Sequence, residues 1–277
     1  MPTPRQRELY KRFYSYKRRF TRDADRKTRH YALARQLVDI PLLAVYENVT
    51  ALSWAELPGK VVVKADIGTG ATRVKCLQRI GKDRYTDLLR PAKASLTSRE
   101  LNSFFADKGQ ILIERFLQDA RQGVIPYDFK FYMAFDQLLY VRVVNRNLGT
   151  RIAILDHEYR PVCHSEYFQS GFRKYQQEYN LPCTRGALEQ AGRIARKISM
   201  MLKTPFISVD MFILNDCEFY LGELTWAPGP LVFEPLLPEV SARILEVIAV
   251  KENMLEKIPG SLVAQDSTGP LGDLETE

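Results

Sequence analysis

Histidine is nearly absent from this chain: His30, His157 and His164 are the only three in 277 residues. The four cysteines, Cys76, Cys163, Cys183 and Cys217, are scattered, with no C-x-x-C spacing. Together these residues form no zinc pattern, and neither a Cys–His nor a Ser–His nucleophile arrangement stands out. Free thiols in a reducing compartment are expected. No stretch reaches the ~18 apolar residues of a membrane span. The start, MPTPRQR, has no apolar run behind it, so no signal peptide is expected. The expectation is a cytoplasmic protein, at most peripheral to a membrane. A Gly-Lys-Ser/Thr phosphate loop and a G-x-G-x-x-G fingerprint are both missing, which removes the two commonest glycine signatures for nucleotides.

What is present is ordinary in bulk and uneven in placement. The chain carries 45% hydrophobic and 26% charged residues and a net charge of +7, the balance of a globular protein. Residues 5–35 hold twelve Lys or Arg against three acids, so the remainder is slightly acidic. Tyr10, Phe13, Tyr14, Tyr16 and Phe20 are interleaved with that run. A nucleic acid, an acidic polymer or an anionic membrane surface would suit it, as would a basic helix that docks its aromatics and leaves its charges solvated. No nucleic-acid motif accompanies it, so nucleic acid is not the expected partner.

Along the chain, residues 1–36 read as helix, with Asp25 or Thr28 as caps. Strands are expected at 40–46, 61–64 and 111–117, and hairpins at 61–76 and 128–144. Thr97 and Glu100 stand at capping-box spacing before a helix. Residues 185–203 form an amphipathic helix, 236–258 a closing helix, and the last sixteen or so residues are expected to be disordered. This gives four parts: a basic helical segment with a short strand (1–58), a small lobe with a glycine-rich loop (59–113), a large lobe (114–258) and a tail (259–277).

Three places carry chemistry. Residues 206–214 and 219–225 alternate with period two around a four-residue loop, and read as a hairpin. That register sets Leu214 opposite Phe219 and therefore Asp210 opposite Glu223. Ile207, Val209, Met211 and Ile213 then form a core face, with the two carboxylates together on the other. Opposed acids repel unless a cation joins them, and such oxygen ligands suit Mg²⁺, unless the face is simply solvated. Lys64 ends an apolar strand just before Asp66, Gly68, Thr69 and Gly70, whose backbone could approach phosphates or merely turn. Asp128 and Lys130 share one face of a strand, so Lys130 wants either that aspartate or a ligand phosphate as partner.

In this order the motifs resemble the ATP-grasp superfamily, and within it the TupA-like ATP-grasp family associated with bacterial surface-polymer biosynthesis. The resemblance rests on LPGKVVVKADIGTG at 57–70, DFKF at 128–131, Val209-Asp210, and GELTWAPG at 222–229. It implies an α+β fold of two antiparallel-sheet lobes clasping ATP, with a reduced basic N-terminal segment. It implies that Lys64 and the loop of Asp66, Gly68, Thr69 and Gly70 bind the ATP phosphates. Glu114, Arg115, Phe116 and Leu117 would be the hinge holding adenine, partly by backbone; Lys130 would contact ATP or the activated carboxylate. Asp210 and Glu223 would ligate Mg²⁺. The Asp-Lys pair usual near the N-terminus of the group corresponds to Asp25 and Arg26 or Lys27. The implied activity is an ATP-dependent carboxylate–amine ligase working through an acyl phosphate, with an acidic saccharide among the candidate acceptors. A phosphotransferase acting on a hydroxyl, or a degenerate ATP site on a binder of acidic polymer, are the alternatives. One departure matters: Ser208 stands where the group usually has arginine. Arg142, Arg146 or Arg151 could supply the cation instead, and Arg142 and Arg146 are the nearest by strand logic.

Overall fold

The computed structural model describes residues 26–68, 73–147, 149–167, 176–178, 180–226 and 236–258. Two sheets face each other. The smaller has five strands in the order β1-β5-β2-β3-β4: β1 (Leu42–Tyr46), β2 (Lys60–Ala65), β3 (Val74–Gly81), β4 (Arg84–Asp87) and β5 (Ile111–Arg115). β1 lies before residue 59 in the chain but joins this sheet through β5. Every pairing in it is antiparallel. Val61, Val63, Leu77, Ile111 and Ile113 alternate onto one face, where Trp54, Tyr85 and helix α2 residues Leu101 and Phe105 complete a core. That helix, Ser98–Phe105, starts on the expected capping box, with Thr97 and Glu100 each accepting from the other's backbone N–H. It is preceded in the chain by α1 (Lys27–Ala34).

The larger sheet runs β10-β8-β7-β6-β11-β12, with β9 beside β8. Its strands are β6 (Asp128–Ala134), β7 (Gln137–Asn145), β8 (Arg151–Leu155), β9 (Pro161–Val162), β10 (Gln176–Gln177), β11 (Ile207–Leu214) and β12 (Glu218–Thr225). All pairings are antiparallel except the two-residue β10–β8 edge. A short helix, α3 (His164–Tyr167), follows β9. Phe129, Phe131, Val141, Val143, Val209 and Met211 turn to one face and pack against α4 (Arg185–Leu202) through Leu188, Ala191, Ala195 and Ile198. On the other face Tyr132, Tyr140, Ile152 and Ile154 meet α5 (Pro238–Leu255) through Val240, Ile244 and Ile248. Alternation at period two sends these sets to opposite faces, and each face is large enough to need a helix over it.

One local expectation lies mostly outside the described residues and one changes. The basic segment reads as helix over 1–36, but only α1 falls among the described residues; positions 1–25, with Asp25, lie outside them, as do 259–277. Thr28 does not cap α1. Its backbone N–H and its hydroxyl both donate to Asp66 Oδ1, at 2.9 and 3.0 Å, so the cap comes from the end of β2, 38 residues away. A carboxylate there is favoured because the first helical N–H groups have no partner within the helix.

Candidate functional site

The cleft between the sheets has a volume of about 280 Å³. One end is apolar, walled by Val62, Cys76, Leu89, Phe116 and Ile125 beside the hinge; the other end is charged. Of the residues singled out from the sequence, Lys64, Glu114, Arg115, Phe116, Leu117, Lys130, Arg146, Asp210 and Glu223 all line it.

The acidic pair arrives by a route the alternation alone does not show. The turn after β11 is tighter than a four-residue loop: Asn215 and Asp216 take positive φ (51° and 64°), and Ile213, not Leu214, pairs with Phe219. A bulge then restores the register. Met211 pairs with Leu221 and Asp210 with Glu223, leaving Gly222 as the extra residue. A Cβ on Gly222 would stand 3.3 Å from the Asp210 carbonyl oxygen and 3.2 Å from the Phe212 ring, so the smallest residue suits the bulge. Asp210 and Glu223 therefore do face each other, with Ser208 opposite Thr225.

Around Asp210 the charges interlock. Lys130 Nζ contacts Asp210 Oδ2 and also lies 3.0 Å from Asp128 Oδ2, while Arg146 holds the same Asp128 oxygen at 3.0 Å. Ser208 Oγ donates to Asp210 Oδ1 at 2.7 Å. Burial pushes the Asp210 carboxyl up, with Asp128 and Glu223 adding to it and Lys130 opposing. Asp128 goes the other way: burial raises it, but Lys130 and Arg146 outweigh that and hold it low. Lys130 keeps its proton, since the two aspartates outweigh its own burial.

At the small-sheet wall, Lys64 Nζ forms a 2.7 Å ion pair with Glu114 Oε2 and donates to the Tyr31 hydroxyl at 3.1 Å. Tyr31 in turn donates to Glu114 Oε1 and lies 3.2 Å from the Gly222 carbonyl. Burial alone would lower the Lys64 pKa; Glu114 and Tyr31 outweigh it and keep the ammonium charged. The Glu114 side chain, expected at the adenine hinge, is thus held by the lysine expected at the phosphates.

The remaining expected residues are placed otherwise. Asp66 caps α1 and accepts from Arg26 at 3.2 Å, outside the cleft lining. Gly68 takes a φ of +128°, where glycine is strongly favoured, and its carbonyl accepts from Lys27 Nζ at 2.7 Å. Thr69 and Gly70 lie outside the described residues. Arg142 stands opposite Lys130 on β7, and Arg151 opposite Asn145, but neither lines the cleft.

Two side chains carry more of the site than sequence reasoning assigns them. Lys27 is 4% exposed, lines the cleft, and sits 3.5 Å from Glu223 Oε1. Of the two positions that could answer the family's N-terminal lysine, Lys27 enters the cleft and Arg26 turns to Asp66 and Gln110. Tyr31 has no signal in the sequence, because its partners lie 33, 83 and 191 residues away.

Among the described residues no cluster of three or more His, Cys, Asp or Glu side chains is placed to hold a metal unaided. Two opposed carboxylates nevertheless fit Mg²⁺, which usually takes one or two from protein and completes its shell with water and phosphate oxygen.

Comparison with known proteins agrees with the fold. D-alanine–D-alanine ligase from Helicobacter pylori superposes with a TM-score of 0.50 at 18% identity, over 86% of this chain and 59% of that one. The Bacillus anthracis D-alanine–D-alanine ligase, in complex with ATP, gives a TM-score of 0.53 at 14% identity, over 84% of this chain and 68% of that one. The chain thus spans little more than half the length of the first of these, and at such identities the likeness is one of fold. No curated protein matches the sequence. The TupA-like ATPgrasp family matches residues 10–238, most of the chain, and the protein belongs to that family.

Proposed function

We propose that this protein is an ATP-dependent carboxylate–amine ligase. The observation that carries the reading is the cleft itself. It has an apolar wall of Val62, Cys76, Phe116 and Ile125, and a charged part where Lys27 meets Glu223 and Lys130 meets Asp210, with Lys64 lining the same cleft. The B. anthracis ligase, which shares the fold, was solved in complex with ATP, and this supports a nucleotide as the ligand class.

In this reading adenine lies against Val62, Cys76, Phe116 and Ile125, with the 115–117 backbone at its edge. The phosphates run toward Lys27 and Lys64. Asp210 and Glu223 would hold Mg²⁺, which supplies charge neutralisation on the phosphate oxygens when bound. The chain's own work is positioning. Lys130, kept protonated between Asp128 and Asp210, faces the transferring group. Arg146 lines the same wall and supplies the second cation expected there. The γ-phosphoryl group passes to a carboxylate oxygen and ADP leaves. An amine then attacks the acyl carbon, phosphate leaves, and the amine gives up a proton to form the amide. A phosphoryl group in transfer spreads charge over three oxygens, so several fixed cations are required. Ser208 adds none; its hydroxyl instead orients Asp210. The carboxylate and amine are proposed to belong to surface-polymer chemistry, with an acidic saccharide as acceptor class.

The test is ADP release with Mg²⁺–ATP over a panel of amino acids and sugar acids, followed by product analysis. Acceptor-dependent ADP and phosphate with a new amide supports the ligase. A phosphorylated hydroxyl, or ATP binding without turnover on any acceptor, refutes it.

A further inference from the structure

Helix α1 presents three side chains at i, i+3 and i+4, and therefore on one face, to three consecutive residues of β12. Lys27 Nζ lies 3.5 Å from the Glu223 carboxylate. His30 Nδ1 accepts the Leu224 N–H at 3.3 Å. The Tyr31 hydroxyl is 3.2 Å from the Gly222 carbonyl. These are the bulge residue, the acid that the bulge swings into register, and the residue after it. Tyr31 also reaches across to the small sheet, accepting from Lys64 and donating to Glu114. Its one proton can be donated to either acceptor, the Glu114 carboxylate on the small-sheet side or the Gly222 carbonyl of β12, one at a time. Tyr31 is 3% exposed and its ring sits in the large-sheet core. Burial and the Glu114 charge push its hydroxyl above the ordinary tyrosine range, so it stays protonated.

We infer that Tyr31 is a positioning residue that couples the Lys64–Glu114 pair of one sheet to Glu223 of the other, setting the distance across which a nucleotide and its cation are gripped together. This rests on the reading of the cleft as an Mg²⁺–ATP site. Without the hydroxyl, Lys64 and Glu114 keep their direct ion pair, and Asp210 and Glu223 keep their ladder. What is lost is the link between the two. A nucleotide alone, held mainly by Lys64 and the apolar wall, is little affected. The extra affinity that Mg²⁺ confers, which needs both walls at fixed separation, falls.

The experiment is calorimetric titration of the full chain with ATP, in Mg²⁺ and in EDTA, for wild type and Tyr31→Phe. The ratio of the two dissociation constants is the readout. The expected result is a ratio lowered at least fivefold in Tyr31→Phe, with the EDTA value within twofold of wild type. A merely structural tyrosine would weaken both arms alike, and that result overturns the inference, as does an unchanged ratio. Tyr31→Met, which also lacks the hydroxyl, repeats the measurement if the phenylalanine variant does not fold. Failure of wild type to bind ATP in either buffer overturns the reading of the cleft itself, whereas wild-type binding with an unmoved ratio overturns the role of Tyr31 alone.

Discussion

Replacing Lys64 by methionine separates two roles that its position otherwise merges. The sequence places a lone charge at the end of an apolar strand beside a phosphate-like loop, so its loss should remove ligand binding and spare the fold. In the structure Lys64 and Glu114 are buried together, 7% and 3% exposed, with Tyr31 closing the cluster. Methionine keeps the stem and deletes the charge, stranding the Glu114 carboxylate in a dry site with one hydroxyl donor. Breaking a buried pair this way costs about 3–5 kcal/mol, because the remaining charge is uncompensated. Against a typical stability of about 5–15 kcal/mol, that is a large share. Urea denaturation followed by circular dichroism should show a lower midpoint at unchanged slope, and the melting temperature should fall by roughly 10 °C, at about 2–4 °C per kcal/mol for a chain of this size. The double variant Lys64→Met/Glu114→Leu removes both charges and should recover most of the loss, since replacing a whole buried pair by apolar residues is often near neutral. Neither variant should bind ATP. A single variant as stable as wild type would refute the account of the pair, and a stable double variant that still binds ATP would remove Lys64 from the ligand site.

Three further outcomes are expected. ATP should raise the melting temperature of wild type by more with Mg²⁺ than in EDTA, and Glu223→Gln should narrow that difference; an equal difference in both proteins counts against the metal pair. Arg146→Ala should lower turnover at least about tenfold, ~1.4 kcal/mol of transition-state stabilisation, while Arg142→Ala, whose residue does not line the cleft, should cost less; the reverse order in steady-state kinetics would overturn the placement of the second cation. Asp119 accepts from Arg121, the Asn215 N–H and Gln122, and the Arg121 side chain chiefly holds its carboxyl well below the usual range. A depressed carboxyl stabilises the fold above its unfolded pKa of about 3.9 and loses that contribution as pH falls. Asp119→Asn should therefore be less stable than wild type in urea at pH 6, with the gap narrowing below about pH 4, and a gap independent of pH would contradict the assignment.

What the sequence by itself determined is local. Period-two alternation marks both hairpins of the large sheet, and the Thr97–Glu100 spacing marks a capping box, because each signal lies within a few residues of its effect. The family's motifs were legible for the same reason, and with them the two walls of the cleft. Even the pairing of Asp210 with Glu223 could be read, though through a compensation: the turn is one residue tighter than its composition suggests, and the bulge at Gly222 returns the lost register. A glycine inside a strand is the signal for that bulge. The tertiary structure decided who neutralises whom. Lys64 and Glu114, Lys130 and Asp210, Asp66 and the start of α1 are each separated by 38 to 80 residues, and no spacing rule pairs charges that only sheet topology brings together. Tyr31 is the clearest case. As a lone aromatic on a weakly amphipathic helix it reads as nothing in particular, and it becomes a link between the two sheets only because folding sets α1 against a bulge 191 residues further along the chain.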